Sequence, residues 1–217
     1  MSLRGRRVVI SAGPTFEDLD PVRFIGNRSS GKMGFAIAEA AARAGANVVL
    51  VAGPVALATP AGVTRIDVRS AAQMHAAVLA ALPVDVYIGA AAVADFTPRA
   101  VAPGKIKKQA GVETLTVELV RTPDILADVA AHAQRPRLVV GFAAETDRVE
   151  DYARDKLARK RLDLIAANRV GLAGTGFESD DNALVVYGPD GFAQALGPAP
   201  KSQLAGNLLE LVAARLD

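Results

Sequence analysis

An alternation constrains this chain more than any other feature. Up to residue 94, short apolar runs stopped by glycine, proline or small residues take turns with alanine-rich or amphipathic segments. Val8-Val9-Ile10 ends at Ser11-Ala12-Gly13-Pro14, the signature of a buried strand closed by turn residues. Residues 34–44 place Phe35, Ile37 and Ala38 at helical spacing, with Gly45 as the stop. Residues 47–52 form a second strand closed by Gly53-Pro54, and residues 63–68 a third, weaker and alternating one. Residues 71–82 read as a helix capped by Ser70, and residues 84–94 as a fourth strand running into small side chains. This β-then-α order predicts a parallel sheet covered by helices on both faces. Residues 11–51 form a strand–loop–helix–strand unit of Rossmann type, with an unusually long polar first loop over residues 15–30.

The second half is less regular. Residues 96–111 are a loop rich in Pro, Gly and Lys, and residues 113–120 alternate like an exposed strand. A helix is expected over 123–132, with Pro123 near its start and Thr122 as its cap. Strands are expected over 138–143, 162–167 and 183–187, a highly charged helix over 147–161, and a closing amphipathic helix over 202–216. No linker and no long internal repeat is visible. The expected fold class is therefore α/β: a Rossmann-like, doubly wound, mostly parallel sheet with a small antiparallel excursion around residues 96–120, in a single domain over 1–217.

Composition narrows the chemistry. Hydrophobic residues are 51% of the 217, enough for a sizeable core and too many for disorder. There is no Cys and no Trp, and only two His, so disulfides, thiolate nucleophiles, iron–sulfur clusters, Cys-type zinc sites and a multi-histidine metal site all drop out. Lys plus Arg number 25 against 23 acids, with no long basic stripe, which argues against nucleic acid. No apolar run is long enough for a membrane span, and the first seven residues are too short and basic for a signal peptide, so the expected compartment is the cytoplasm. An enzyme of this composition must work with Lys, Arg, Asn, Asp, Ser and backbone amides.

Three places qualify. The first is Gly26-Asn27-Arg28-Ser29-Ser30-Gly31-Lys32-Met33, close to a phosphate-binding P-loop. Met33 stands where the magnesium-binding hydroxyl belongs, and the stretch lies far beyond the first strand, so a true P-loop is rejected. What survives is a helix N-terminus opened by Ser29, Ser30 and Gly31, whose free N–H groups suit an anion. The plain alternative is an ordinary Ser cap. The second is Gly89-Ala90-Ala91-Ala92-Val93-Ala94-Asp95, small side chains at the C-terminal edge of a parallel sheet, which leave room for a ligand. Asp95 is the one charge there; it can accept from a ribose or base or hold magnesium, or simply begin a turn. The third is lysine-rich. Lys105-Ile106-Lys107-Lys108 resembles a mobile arm over phosphates, or a solvated run. On the charged helix, Lys156 and Lys160 lie one turn apart with no acid four residues before either, a mildly repulsive pair that suggests an external anion unless Asp163 serves Lys160. A competing oxidoreductase reading rests on Tyr152-x-x-x-Lys156 and the glycine turn. It lacks the acidic group or arginine that a dinucleotide ribose needs after the second strand. A third reading is a nucleotide-binding module without catalysis.

The motifs then converge. Ala12-Gly13-Pro14-Thr15 and Asp20-Pro21-Val22-Arg23-Phe24-Ile25-Gly26-Asn27-Arg28-Ser29-Ser30-Gly31-Lys32-Met33-Gly34 closely resemble the phosphopantothenoylcysteine synthetase (phosphopantothenate–cysteine ligase) family. So do Ala91 to Phe96, Lys105 to Lys108, Pro123 to Leu126, Gly141 to Thr146 and Asp180 to Leu184, in order along nearly the whole chain. The resemblance is to the bacterial, CTP-using branch. It implies that 4′-phosphopantothenate is activated by CTP with magnesium and then joined to L-cysteine. It also implies a homodimer with shared sites, for which the strand near 112–120 is the candidate pairing edge. The usual N-terminal partner is a flavin-dependent decarboxylase, and none of its sequence is present in the chain, so the likeness is to the ligase half. By the same resemblance Asn27 contacts the acyl-cytidylate, Lys105 is the flap lysine, and Arg23 lies near the pantothenate phosphate. Asp95, Pro123, Asp124, Ile125, Leu126, Phe142, Lys156 and Lys160 line the CTP site, with Ala90, Ala91, Ala92 and Val93 as its floor. No residue is expected to be a fixed metal ligand. The chain departs from the pattern at Gly26, where serine is common, and at Phe16, where a polar residue is common.

Overall fold

The computed structural model describes residues 3–108, 110–111, 113–169 and 180–216. The apolar runs become strands β1 (Arg7–Ala12), β4 (Asn47–Ala52), β5 (Val63–Asp67), β6 (Val86–Gly89), β9 (Leu138–Glu145) and β10 (Leu164–Arg169). These six pair in parallel in the order β10-β9-β6-β1-β4-β5. Two antiparallel strands, β11 (Asp181–Tyr187) and β12 (Ala193–Pro200), extend the sheet beyond β10. Helices α1 (Lys32–Arg43) and α5 (Lys201–Ala213) bury Ile37, Ala38, Leu204 and Leu208 against one face. Helices α2 (Ala71–Ala80), α3 (Ile125–Ala131) and α4 (Val149–Arg159) bury Met74, Val129 and Ala153 against the other. The expected doubly wound, mostly parallel α/β sheet is present. Among the described residues no helix is long and apolar enough to cross a membrane.

Local boundaries differ from the sequence expectation where tertiary partners decide. The fourth strand was expected to reach Ala94, yet regular pairing stops at Gly89. Its partner β1 runs out into Gly13, at φ 79°, and Pro14, so only an isolated bridge between Pro14 and Ala92 continues the ladder. The exposed strand expected over 113–120 shrinks to β8 (Leu119–Arg121), paired antiparallel with β7 (Phe96–Pro98). Residue 112 lies outside the described residues. The helix expected from Pro123 starts at Ile125, and its cap is Asp124, which accepts from the Ala127 amide at 3.1 Å. Thr122, expected as the cap, instead donates its hydroxyl to the Ala94 carbonyl at 2.6 Å. Ser70 caps α2 as expected, in a reciprocal capping box with Gln73.

The long first loop is not irregular. It folds into a hairpin of β2 (Phe16–Asp18) and β3 (Phe24–Gly26). The Phe16 and Phe24 rings stack at 3.9 Å, with the Arg69 guanidinium 5.5 Å from each and bonded to Asp18. The buried Glu17 carboxylate accepts from the Ala71 amide at 2.8 Å, fastening the hairpin to the N-terminus of α2. The hairpin also accounts for both departures from the family pattern. Phe16 faces Gly26 across the register, and a Cβ on residue 26 would sit 2.7 Å from the Phe16 ring. The absent side chain at 26 and the large ring at 16 occupy one shared volume.

Gly26→Ser should therefore destabilise the protein by about 1–3 kcal/mol, because it overpacks a ring that is already stacked. In a Phe16→Thr background the same change should cost at least about 1 kcal/mol less. Urea unfolding of the four variants measures this coupling, and equal costs in both backgrounds would dismiss it.

Candidate active site

The site lies where the chain changes direction in the sheet. From β1 the strand order proceeds to β4 and β5 on one side, then returns to β6, β9 and β10 on the other. Ligands of open α/β sheets sit beyond the strand ends at such a reversal. A cleft of 680 Å³ opens there, within the range of about 300–1,000 Å³ usual for small-molecule sites. Its floor is Gly89 with Ala90, Ala91, Ala92 and Val93, side chains too small to fill it.

The N-terminus of α1 forms one wall. Its N-cap Gly31 is left-handed at φ 76° with no side-chain cap hydrogen bond, and Ser29, Ser30 and Gly31 lie in the lining, so the positive end of the helix dipole faces the cleft. Gly34 lets the helix come close: a Cβ there would lie 2.4 Å from that of Ala12. The hairpin β2–β3 between β1 and α1 is what separates this arrangement from a P-loop, in which the helix follows its strand directly.

The opposite wall is cationic. Lys156 donates from Nζ to the Phe142 carbonyl at 2.8 Å, and Lys160 pairs with Asp124 at 2.8 Å. The suggestion that Asp163 serves Lys160 is corrected, because Asp163 is bound by Arg135 and by the Val139 amide. Lys160 has no acid one turn earlier on its own helix, and its internal partner comes instead from the start of α3. Burial lowers the Lys156 ammonium below the usual lysine range and the charge of Lys160 lowers it further, against weaker support from Glu145, Asp124 and Asp95. Burial alone would raise Asp124. The Lys160 hydrogen bond, the Ala127 amide and the two lysine charges outweigh that and hold its carboxyl below the ordinary value.

Thus Ser29, Ser30, Gly31, Ala90 to Val93, Asp95, Pro123, Asp124, Ile125, Leu126, Phe142, Lys156 and Lys160 converge on one cleft from well-separated segments. Three expected residues lie outside its lining. Asn27 donates from Nδ2 to the Ala92 carbonyl at 2.9 Å, which fixes it against the floor strand. Arg23 bonds Asp20 and the Ile106 carbonyl, and Lys105 is exposed on the neighbouring loop. The oxidoreductase pair does not assemble: Lys156 lines the cleft, but Tyr152 is exposed outside it beneath Arg148.

Sequence reasoning missed Lys201, Asn168 and Asn182, which close the far end of the cleft. Lys201 is only 6% exposed, and burial together with the charge of Lys32 lowers its ammonium. Asn182 stood inside a quoted family motif, whereas a lysine opening an apolar helix gives no sequence signal of a site. Among the described residues no group of three or more carboxylates and histidines could hold a metal ion.

Residues 3–216 match the family described as DNA/pantothenate metabolism flavoprotein C-terminal domain. The chain belongs to that family. It is 54% identical over 211 residues to the coenzyme A biosynthesis bifunctional protein CoaBC of Vibrio cholerae, covering 97% of this chain and 53% of that protein. The CoaBC of Escherichia coli K12 is 54% identical over 209 residues, covering 95% of this chain and 51% of that protein. The chain thus spans about half the length of the curated relatives it matches. The crystal structure of the C-terminal domain of CoaBC superposes with a TM-score of 0.83 at 41% identity, covering 98% of this chain and 96% of that one. Family membership over this span explains why the motifs keep their order, and most of them contribute residues to the one cleft.

Lys156 makes this family cleft pH-sensitive in a defined direction. Its lowered value means that it loses its charge before a free lysine does, which titrates near about 10.4. Affinity for inorganic pyrophosphate or triphosphate should therefore be full at neutral pH and fall as pH rises, starting below that value. Lys156→Arg should carry the affinity to higher pH, because arginine stays protonated. Calorimetric titration between pH 7 and 10 checks this; superimposable profiles for the two proteins would remove Lys156 from the anion site.

Proposed function

We propose that this chain is a phosphopantothenate–cysteine ligase of coenzyme A biosynthesis. The carboxylate of 4′-phosphopantothenate attacks the α-phosphorus of CTP, and pyrophosphate leaves with the electron pair of the broken P–O bond. The amine of L-cysteine then attacks the acyl carbon of the acyl-cytidylate and CMP departs, giving 4′-phosphopantothenoylcysteine and releasing one amine proton. The observation that carries the reading is the union, in a single cleft, of a helix N-terminus without a side-chain cap, a floor of small residues and a lysine wall, with no cysteine or histidine among the residues that line it. The reaction needs neither: the first nucleophile is a carboxylate already ionised at neutral pH. The protein's task is to place two charged substrates and neutralise phosphate charge, and lysines and oriented amides do that.

Asn27 supports the second step in this reading. Held by the Ala92 carbonyl, its neutral amide can donate to an acyl oxygen without adding charge. Lys105 is the flap cation that meets the triphosphate, and Arg23 stands on the pantothenate side. Magnesium would arrive with CTP rather than in a protein cage. We further propose residues 1–217 as one catalytic domain, working in the cytoplasm, whose product passes to a flavin-dependent decarboxylase. The exposed apolar side chains Val22, Phe24, Phe96, Val101, Leu115 and Leu119 lie along the hairpin and the antiparallel excursion and support a homodimer built through that face.

CMP release should depend on phosphopantothenate and L-cysteine and be faster with CTP than with ATP. NAD(P)H binding without CTP binding would favour the oxidoreductase instead, and CTP binding without turnover the inactive module. Asn27→Asp should let acyl-cytidylate accumulate, because a negative charge beside the mixed anhydride repels developing oxyanion charge. Normal turnover with no trapped intermediate would refute the role of Asn27. Lys105→Gln should lower turnover while leaving the melting temperature nearly unchanged, since the residue is exposed; lost stability with normal activity would make it a surface residue only.

A further inference from the structure

We propose that Asp20 is a positioning residue that fastens the Lys105 loop to the first hairpin, acting through Arg23 and Ile106. Asp20 is 1% exposed, and five donors converge on its carboxylate. Oδ1 accepts from the Val22 and Arg23 amides, each at 2.8 Å. Oδ2 accepts from Arg23 Nε at 3.0 Å, from Arg23 Nη2 and from the Ile106 amide at 3.1 Å. A carboxylate has about four lone-pair sites, so this one is saturated. Arg23 Nη2 also donates to the Ile106 carbonyl at 3.0 Å. Ile106 is therefore gripped at both backbone polar groups by one ion pair. A second tie lies four residues earlier, where the Ala102 amide donates to the Leu19 carbonyl at 3.0 Å.

The flap lysines lie just beside this grip. Lys105, Lys107 and Lys108 are exposed, while Ile106 between them is half-buried. A local role alone, closing the turn at residues 19–23, would use the Val22 and Arg23 amides. It would not use the Ile106 amide or the Ile106 carbonyl, which are more than 80 residues away in sequence. Because Asp20 is charged and covered while the loop is in place, releasing the loop takes the Ile106 amide from its carboxylate, one of its five donors, which opposes release. The consequence for catalysis rests on the ligase reading: the latch raises the fraction of molecules in which Lys105 is already placed for the triphosphate.

Trypsin tests the latch directly, because the loop supplies its own cleavage sites at Lys105, Lys107 and Lys108. On the protein without nucleotide, Asp20→Asn should speed cleavage there by about tenfold or more and abolish exchange protection of the Ile106 amide. Arg23→Gln should do the same at a position whose side chain is 43% exposed, so its fold does not depend on burial. Arg23→Lys should restore part of the protection, keeping the charge without the fork. In turnover of Asp20→Asn, the KM for CTP should rise by about tenfold with kcat within about twofold, the pattern of a smaller competent population. Unchanged cleavage and unchanged Ile106 exchange in Arg23→Gln would overturn the latch, even if Asp20→Asn failed to fold. A wild-type protein inert toward CTP would sink the ligase reading separately, while the protease rates would still decide the latch.

Discussion

The cleft depends on two neighbouring strands that go on bonding after their regular pairing ends. Past β1 and β6 the Ala90 amide reaches the Ser11 carbonyl at 3.0 Å, the Ala92 amide the Gly13 carbonyl at 2.9 Å, and the Ala94 amide the Thr15 hydroxyl at 2.9 Å. This continuation holds the floor flat and satisfied while the chains that leave it part company. After β1 the next helix, α1, packs on one face of the sheet; after β6 the next, α3, packs on the other. A gap between two helix N-termini is the result, and its floor is held because the Ala90, Ala92 and Ala94 amides each have a partner across the pair.

Electrostatics give that gap its selectivity. Its lysines are engaged with partners weaker than a phosphate. Lys156 donates to a neutral carbonyl, whereas a phosphate oxygen in the same place would add the attraction of opposite charges where water screens little. Exchange of that carbonyl for a phosphate oxygen is therefore favourable and also reverses the burial that lowers the lysine. Lys160 can leave Asp124 without orphaning it, since the Ala127 amide still caps the same oxygen. On the far wall, Lys32 is paired with the highly exposed Asp180 at 2.6 Å, a contact that water screens. Lys156 and Lys160 are thus each positioned beforehand by a partner that an anion can replace.

How much of this was legible follows from what each signal measures. Periodicity reports burial, so the buried parallel strands and the helices against them were readable, within a few residues. It reports little about edges. β12 carries Gly197 and two prolines and is mostly exposed, and it was missed. The cap of α3 was misplaced by two residues because Thr122 and Asp124 are equally good caps in isolation, and only the Ala94 carbonyl tells them apart. The cleft residues came through motifs, each a local run. Lys201 and Asn168 came through nothing, since each is an ordinary residue made functional by a strand order that no local pattern encodes. The lysine pair shows both sides: its lack of helical partners was visible, but the partner that the fold supplies, Asp124, was not recognised as one.

The first loop carries the same lesson into the mechanism. Its polar composition suggests a solvated linker, yet two of its acids, Glu17 and Asp20, are almost wholly buried. Glu17 ties the hairpin to α2, and Asp20 ties it to the Lys105 loop. A segment rich in charge is thus ordered by its charges, because each buried carboxylate must keep its donors. Volume is constrained as tightly. Phe16 fills the space that a side chain at position 26 would need, so two positions that look like separate erosions of a family pattern are a single exchange across one register. Between them Arg23 is still held against Asp20, and just beyond them Asn27 is held against the floor. A substitution beside a site says little about function until the side chain facing it is known.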